Sequence, residues 1–161
     1  MSTDPQIYLA SSSPRRQELL LQLCVRFELL RLREAAGRER DVVEGALGGE
    51  PPLHYVERIA RTKALVACER MASRGLTPRQ VLAADTEVVL DDVIFGKPTD
   101  AADAARMLRH LSGRTHQVLT AVAVKWRDEL EVEISTSAVT AFAPSTSRKR
   151  RSSRCGRRAA G

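Results

Sequence analysis

Three stretches of this chain hold residue types that bind phosphate and activate water, at places where a fold could gather them. The first is Ser11-Ser12-Ser13-Pro14-Arg15-Arg16. It reads as a helix start, with Ser13 as the N-cap and Pro14 at the first helical position. The N–H groups of a helix start are unpaired and carry partial positive charge, which suits phosphate oxygens. Two arginines in a first turn oppose the macrodipole unless an anion binds there, and guanidinium grips phosphate through two parallel hydrogen bonds. The competing reading is an ordinary Ser-Pro helix start with solvated arginines.

The second stretch is Asp85-Thr86, set between Val81-Leu82-Ala83-Ala84 and Val88-Val89-Leu90. A carboxylate inside an apolar strand faces a cleft or a metal far more readily than a dry core, because an unpaired buried charge is costly. Glu87 shares its side of the strand, so a solvent-facing edge is the alternative. The third stretch, Gly96-Lys97-Pro98, fixes a lysine at a strand-to-helix junction. Lys63 completes the set. It falls on an apolar helix stripe, where a lysine either snorkels to the rim or serves a site.

The elements that must position these residues follow from pattern. Ile7 to Ala10 is a short strand candidate, and the helix after Pro14 runs to Leu23. Val25 to Leu32 reads as a second strand, and Arg33 to Gly49, polar and without period, as a loop. Pro51-Pro52 opens a helix to about Arg74, stopped at Gly75, with an apolar stripe of Leu53, Val56, Ala60 and Ala67. Val81 to Leu90 and Val93 to Phe95 form a hairpin about Asp91-Asp92. Thr99 or Asp100 caps a helix to Leu111, closed by Gly113. Gln117 to Val124 and Glu131 to Thr140 are two last strands. The order β-α-β-α-β-β-α-β-β implies an α/β fold with a mixed sheet.

The net charge of +6 over 161 residues resembles a nucleic-acid signal until it is located. From Ala143 onward stand seven basic residues and no acidic one, and removing them leaves 19 basic against 20 acidic residues. The body is therefore near neutral, so the charge says nothing about the fold's ligand, and no specific nucleic-acid partner is expected. The division expected is a domain over 1–142 and a basic Ser/Arg-rich tail over 143–161. The break in composition after Phe142 reads as a frameshift product. No apolar run suits a membrane span or a signal peptide, and Cys24, Cys68 and Cys155 lack ligand spacing, so a reduced cytoplasmic setting is expected. Cys24 and Cys68 read as small core residues. His54, His110 and His116 are scattered and read as structural.

Taken in order, five motifs resemble those of the Maf family. They are Leu9 to Leu20, Tyr55 to Ala64, Ala84 to Leu90, Gly96 to Pro98 and Leu111 to Thr120. The resemblance covers Ile7 to about Phe142. It implies an inosine-triphosphatase-like architecture, an elongated mixed sheet with flanking helices and a central cleft between two lobes. It implies a cytoplasmic nucleoside triphosphate pyrophosphatase, yielding monophosphate and pyrophosphate with Mg²⁺ or Mn²⁺. Arg15-Arg16 and Asp85-Thr86 resemble the branch acting on dTTP and UTP. The branch acting on 7-methyl-GTP has Trp before a single Arg and Gln after the Asp.

The roles implied are Asp85 as the residue that orients or deprotonates water, and Ser11, Arg15, Arg16, Lys63, Thr86 and Lys97 as substrate-binding residues. Thr86 and Arg15 would set base preference. Asp85 and Glu34 would hold the metal, although Glu34 is one residue out of step with the family's acidic pair. The partners expected are the triphosphate and a second copy in a homodimer. A later family motif, Gly-Glu-Pro-x-Asp-Lys-Ala-Gly, is missing, so this chain is expected to turn over weakly or not at all. The rival roles are a non-catalytic regulator of septum formation, which shares every motif, and a nucleic-acid binder working through the tail.

Overall fold

The computed structural model describes residues 5–32, 42 and 44–140. The element order is β1 (Ile7–Leu9), α1 (Pro14–Gln22), β2 (Phe27–Leu29), α2 (Pro52–Ser73), β3 (Gln80–Leu90), β4 (Val93–Phe95), α3 (Ala101–Leu111), β5 (Thr115–Trp126) and β6 (Glu129–Thr140). It matches the sequence pattern element for element. The tail over 143–161 lies outside the described residues.

The six strands form one mixed sheet in the order β2-β1-β3-β5-β6, with β4 also on β3. β1 runs parallel to β2 and β3, whereas β4 and β5 run antiparallel to β3. The expected second strand is cut to three residues because its partner β1 has only three, with Ile7 opposite Phe27 and Leu9 opposite Leu29. β5 and β6 outrun the sequence reading for the converse reason: each has twelve residues to pair with in the other.

Helix α2 packs across β3 and β5. Ala60, Ala64 and Ala67 of the helix and Ala83, Ala121 and Ala123 of the strands are all fully buried. Small side chains on both surfaces let the helix come close to the sheet, which is how a core with few aromatics still excludes water. Leu53, placed on the stripe by its spacing, is 45% exposed, and the buried face begins at Tyr55 and includes Ile59.

The turns follow backbone chemistry. Asp91 and Asp92 both take positive φ (50° and 60°), as a two-residue hairpin loop requires. Gly113, at φ 71°, follows α3, and Asp100 caps that helix by accepting from the Asp103 N–H at 2.8 Å. Ser13 departs from expectation: its side chain makes no capping bond, and its N–H donates instead to Ser11 Oγ at 3.2 Å. Cys24 is not a core residue but exposed, turning the chain out of α1 at φ 56°, while Cys68 packs half-buried on the core. No helix among the described residues is long and apolar enough to cross a membrane.

Candidate functional site

Strand β3 is longer than its partners on one side, and this makes the site. β1 pairs with it only as far as Leu82, and β4 begins to pair at Val88. Residues 83–87 therefore present an edge that neither strand covers. The register also aims both partners at this notch. β1 runs parallel into it and delivers Ser11 to Arg16. β4 runs antiparallel from the other end and delivers Gly96 and Lys97.

Asp85 and Glu87 face α2, and Thr86 faces the other side of the sheet, by the alternation of a strand. Lys63 reaches down from α2 and donates to Asp85 Oδ1 at 2.8 Å. The same ammonium meets Glu44 Oε1 at 2.6 Å, and Glu44 Oε2 lies 3.9 Å from Lys97 Nζ. On the far face, Arg16 donates to Ser11 Oγ at 3.1 Å and to Thr86 Oγ1 at 3.3 Å, and Thr86 shares a hydrogen bond with Thr120 at 3.1 Å.

Of the residues expected from sequence, Lys63 and Asp85 are thus joined on the α2 face, with Lys97 reached through Glu44, and Ser11, Arg16 and Thr86 are joined on the far face. Arg15 joins neither group. It is exposed and makes no hydrogen bond or ion pair among the described residues. Glu34 lies outside the described residues. Glu44 and Thr120 were not foreseen. Glu44 comes from a segment with no period, so nothing in its spacing marked it. Thr120 is placed by the β3–β5 register, which pairs it with Thr86. Glu87 was visible through alternation alone.

The electrostatics show an unfinished site. Burial alone would lower the Lys63 pKa, but the hydrogen bonds and charges of Asp85 and Glu44 outweigh it, so the ammonium is held more firmly than usual. Burial lowers the Arg16 pKa, only partly opposed by the charges of Asp85 and Glu44. Its two acceptors are neutral hydroxyls, so this half-buried cation has no carboxylate bonded to it among the described residues. Burial, then repulsion from Asp85 and Glu44, pushes the Glu87 carboxyl up to about 7. Asp85 Oδ2 is buried with no hydrogen-bond partner among the described residues. Native proteins rarely leave such an atom bare unless something else is meant to meet it.

A separate cavity of about 220 Å³ lies between the β3–β4 hairpin and α3, lined in part by Leu90, Phe95 and His110. Its arginines, Arg106 and Arg114, already pair with Asp103 and Asp91. Its charges are spent, unlike those of the notch.

Comparison with known proteins settles the family. A profile described as Maf-like protein matches residues 6–153. The chain belongs to the Maf family. The match runs beyond Phe142, where the resemblance read from motifs stopped. A dTTP/UTP pyrophosphatase of Ralstonia nicotianae is 55% identical over 125 residues, covering 77% of this chain and 59% of the relative. A dTTP/UTP pyrophosphatase of a Polaromonas species is 49% identical over 140 residues, covering 87% and 68%. This Maf chain thus spans about three fifths of the length of the Ralstonia relative. Among solved structures, the Staphylococcus aureus Ham1 protein superposes with a TM-score of 0.47 at 15% identity, covering 82% of this chain and 69% of that one.

Proposed function

We propose that the notch binds a nucleoside triphosphate and hydrolyses it to the monophosphate and pyrophosphate, with dTTP and UTP as substrates. The observation that carries this is the uncovered stretch of β3, with an under-compensated Arg16 on one face and a bare Asp85 Oδ2 on the other, near enough for the Asp85 charge to act on the guanidinium. The 49–55% identical relatives, which are dTTP/UTP pyrophosphatases, support the choice of substrate.

Each residue has a task in this reading. Ser11 and Arg16 receive phosphate oxygens at the end of β1, and Lys97 approaches from the end of β4. Lys63 fixes one oxygen of Asp85, which leaves Oδ2 to orient the attacking water and take its proton. Cations held in place around the leaving pyrophosphate stabilise the charge that develops there. Arg15 and Thr86 fall to base selection, Thr86 from within the network and Arg15 from the exposed side of α1.

The donor set fits an oxygen-ligated divalent cation. Three cations (Arg16, Lys63, Lys97) and three carboxyl groups (Glu44, Asp85, Glu87) line the two faces of the notch, so a triphosphate would enter with little net positive charge to meet it. No group of three His, Cys, Asp or Glu among the described residues is gathered closely enough to cage a metal by itself. That suits Mg²⁺ or Mn²⁺ shared between one or two carboxylates and the substrate's phosphates. Asp85 would hold it, with Glu34 as the second candidate. Bound there, the ion would polarise the phosphoryl group and acidify water.

The test is a side-by-side assay of pyrophosphate release from dTTP, UTP and 7-methyl-GTP with Mg²⁺ or Mn²⁺. Release from dTTP and UTP should exceed release from 7-methyl-GTP. The reverse ranking overturns the substrate assignment. Release from none of them, together with no saturable triphosphate binding, overturns the function.

A further inference from the structure

Glu44 reaches Lys63 from one end of residues 44–50, which form no helix or strand, so its delivery needs an anchor. The structure points to Arg58. Its Nε donates to Glu50 Oε1 at 2.6 Å and its Nη2 to Glu50 Oε2 at 2.7 Å, a two-pronged ion pair. The same Nη2 donates to the Gly45 carbonyl at 2.9 Å. Glu50 Oε2 in turn accepts from the Leu47 N–H at 3.1 Å, and the Glu50 N–H donates to the Leu47 carbonyl at 3.0 Å. Beneath the guanidinium, 5.4 Å away, lies the ring of Tyr55, which is buried in the core.

We propose that Arg58 is a positioning residue, which clamps residues 45–50 onto α2 so that the Glu44 carboxylate is delivered to the Lys63 ammonium. This rests on the reading of the notch as a triphosphate site. Gly45 adjoins Glu44, so a bond to its carbonyl fixes the place from which the Glu44 side chain departs. Gly45, Gly48 and Gly49 make this stretch costly to order, since glycine loses the most conformational freedom on folding. A single cation that binds both Glu50 oxygens and the Gly45 carbonyl supplies several restraints from one side chain. Only the planar fork of arginine can do this; a lysine ammonium cannot reproduce the paired geometry.

The spacing on α2 carries the same logic. Arg58 and Lys63 stand five residues apart on one rigid helix, so the clamp and its target keep a fixed distance. Lys63 thereby receives Glu44 on one side and Asp85 on the other. The ammonium is trapped between two carboxylates, and this holds Asp85 Oδ1 in place.

Two measurements test the proposal on the whole chain, with Arg58→Ala, Arg58→Lys, Glu50→Gln and Glu44→Gln as variants. Arg61→Ala, which breaks the Arg61–Glu57 pair on the same helix, is the control. Hydrogen exchange at the Leu47 and Glu50 amides, followed with a chelator present, should quicken in Arg58→Ala and in Glu50→Gln. It should change less in Arg58→Lys and not at all in Arg61→Ala. Unaltered exchange in Arg58→Ala overturns the clamp, whatever the enzyme does.

Pyrophosphate release then tests whether the clamp acts through Glu44. Arg58→Ala and Glu44→Gln should each lower kcat/KM by on the order of tenfold, and the double variant should fall little further than either. Losses that multiply in the double variant overturn the route through Glu44. If the wild-type chain neither releases pyrophosphate nor binds a triphosphate saturably, the proposed function fails while the exchange result still decides the clamp. Glu50→Gln leaves α2 untouched, so it keeps the test sound should Arg58→Ala fail to fold.

Discussion

The clamp around Arg58 and the notch around Asp85 sit at either end of the same short run of α2, and they treat charge in opposite ways. In the clamp, every charge is answered. Glu50 is held down to about 2, first by its hydrogen bond to Arg58, and both of its oxygens are occupied. In the notch, Glu87 is held up to about 7, Arg16 has only hydroxyls to bond, and Asp85 Oδ2 has no partner among the described residues. Both are polar clusters beside one core. The difference teaches what separates a brace from a site: a brace is satisfied within the fold, and a site keeps interactions in reserve for a ligand.

Lys63→Met should break this contrast most severely. Lys63 and Asp85 are both mostly buried, with side chains 15% and 9% exposed. Removing the ammonium leaves Asp85 as an uncompensated buried carboxylate beside Glu44, at a cost of about 3–5 kcal/mol in urea unfolding. Asp85→Asn should cost less, because Lys63 retains Glu44. Equal losses in the two variants would mean that Glu44 does not engage Lys63 in solution.

Glu87→Gln should stabilise the protein, and the pH dependence fixes the sign. The folded pKa of about 7 lies above the ordinary 4.5, so the penalty on the native state is complete above pH 7 and absent below about 4.5. With a chelator present, the gain at pH 8 should be about 1–3 kcal/mol and should vanish as pH falls through that window. A gain that is flat with pH would show that Glu87 is not strained by its surroundings.

Glu50→Gln should do the reverse and by less. The Glu50 pKa lies below its ordinary 4.5, at about 2, so the wild-type advantage is present above pH 4.5 and lost as pH falls toward 2. Urea midpoints of the two proteins should converge over that range. Convergence at higher pH would place the Glu50–Arg58 pair in weaker contact than 2.6 Å implies.

How far the sequence revealed all this differs between the two regions. Arg16, Lys63 and Asp85 were legible because each breaks a local rule: an arginine at a helix start, a lysine on a buried stripe, a carboxylate in an apolar strand. A residue that violates its own element's pattern can be found without knowing the fold. The clamp breaks no such rule. Glu50 precedes α2 and Arg58 lies in its second turn, ordinary surface charges eight residues apart, outside the spacing at which helical pairs meet. Glu44 is one acid in a polar stretch. Their roles appear only when the segment folds back on α2. Likewise, the element order was readable from periodicity, but the notch was not, because it arises from β1 and β4 both falling short along β3.

On the proposed function, Asp85 Oδ2 is left bare in order to work on a water. Pyrophosphate release from dTTP with Mg²⁺ or Mn²⁺, by this chain and by Asp85→Asn at matched folded concentration, tests it most directly. The variant serves as the blank, so even slow turnover is readable. The account predicts a loss of at least about two orders of magnitude, the cost of removing a positioned base, with triphosphate binding retained. Measurable and equal release by the two proteins would contradict it and return Asp85 to the role of a counter-ion for Lys63.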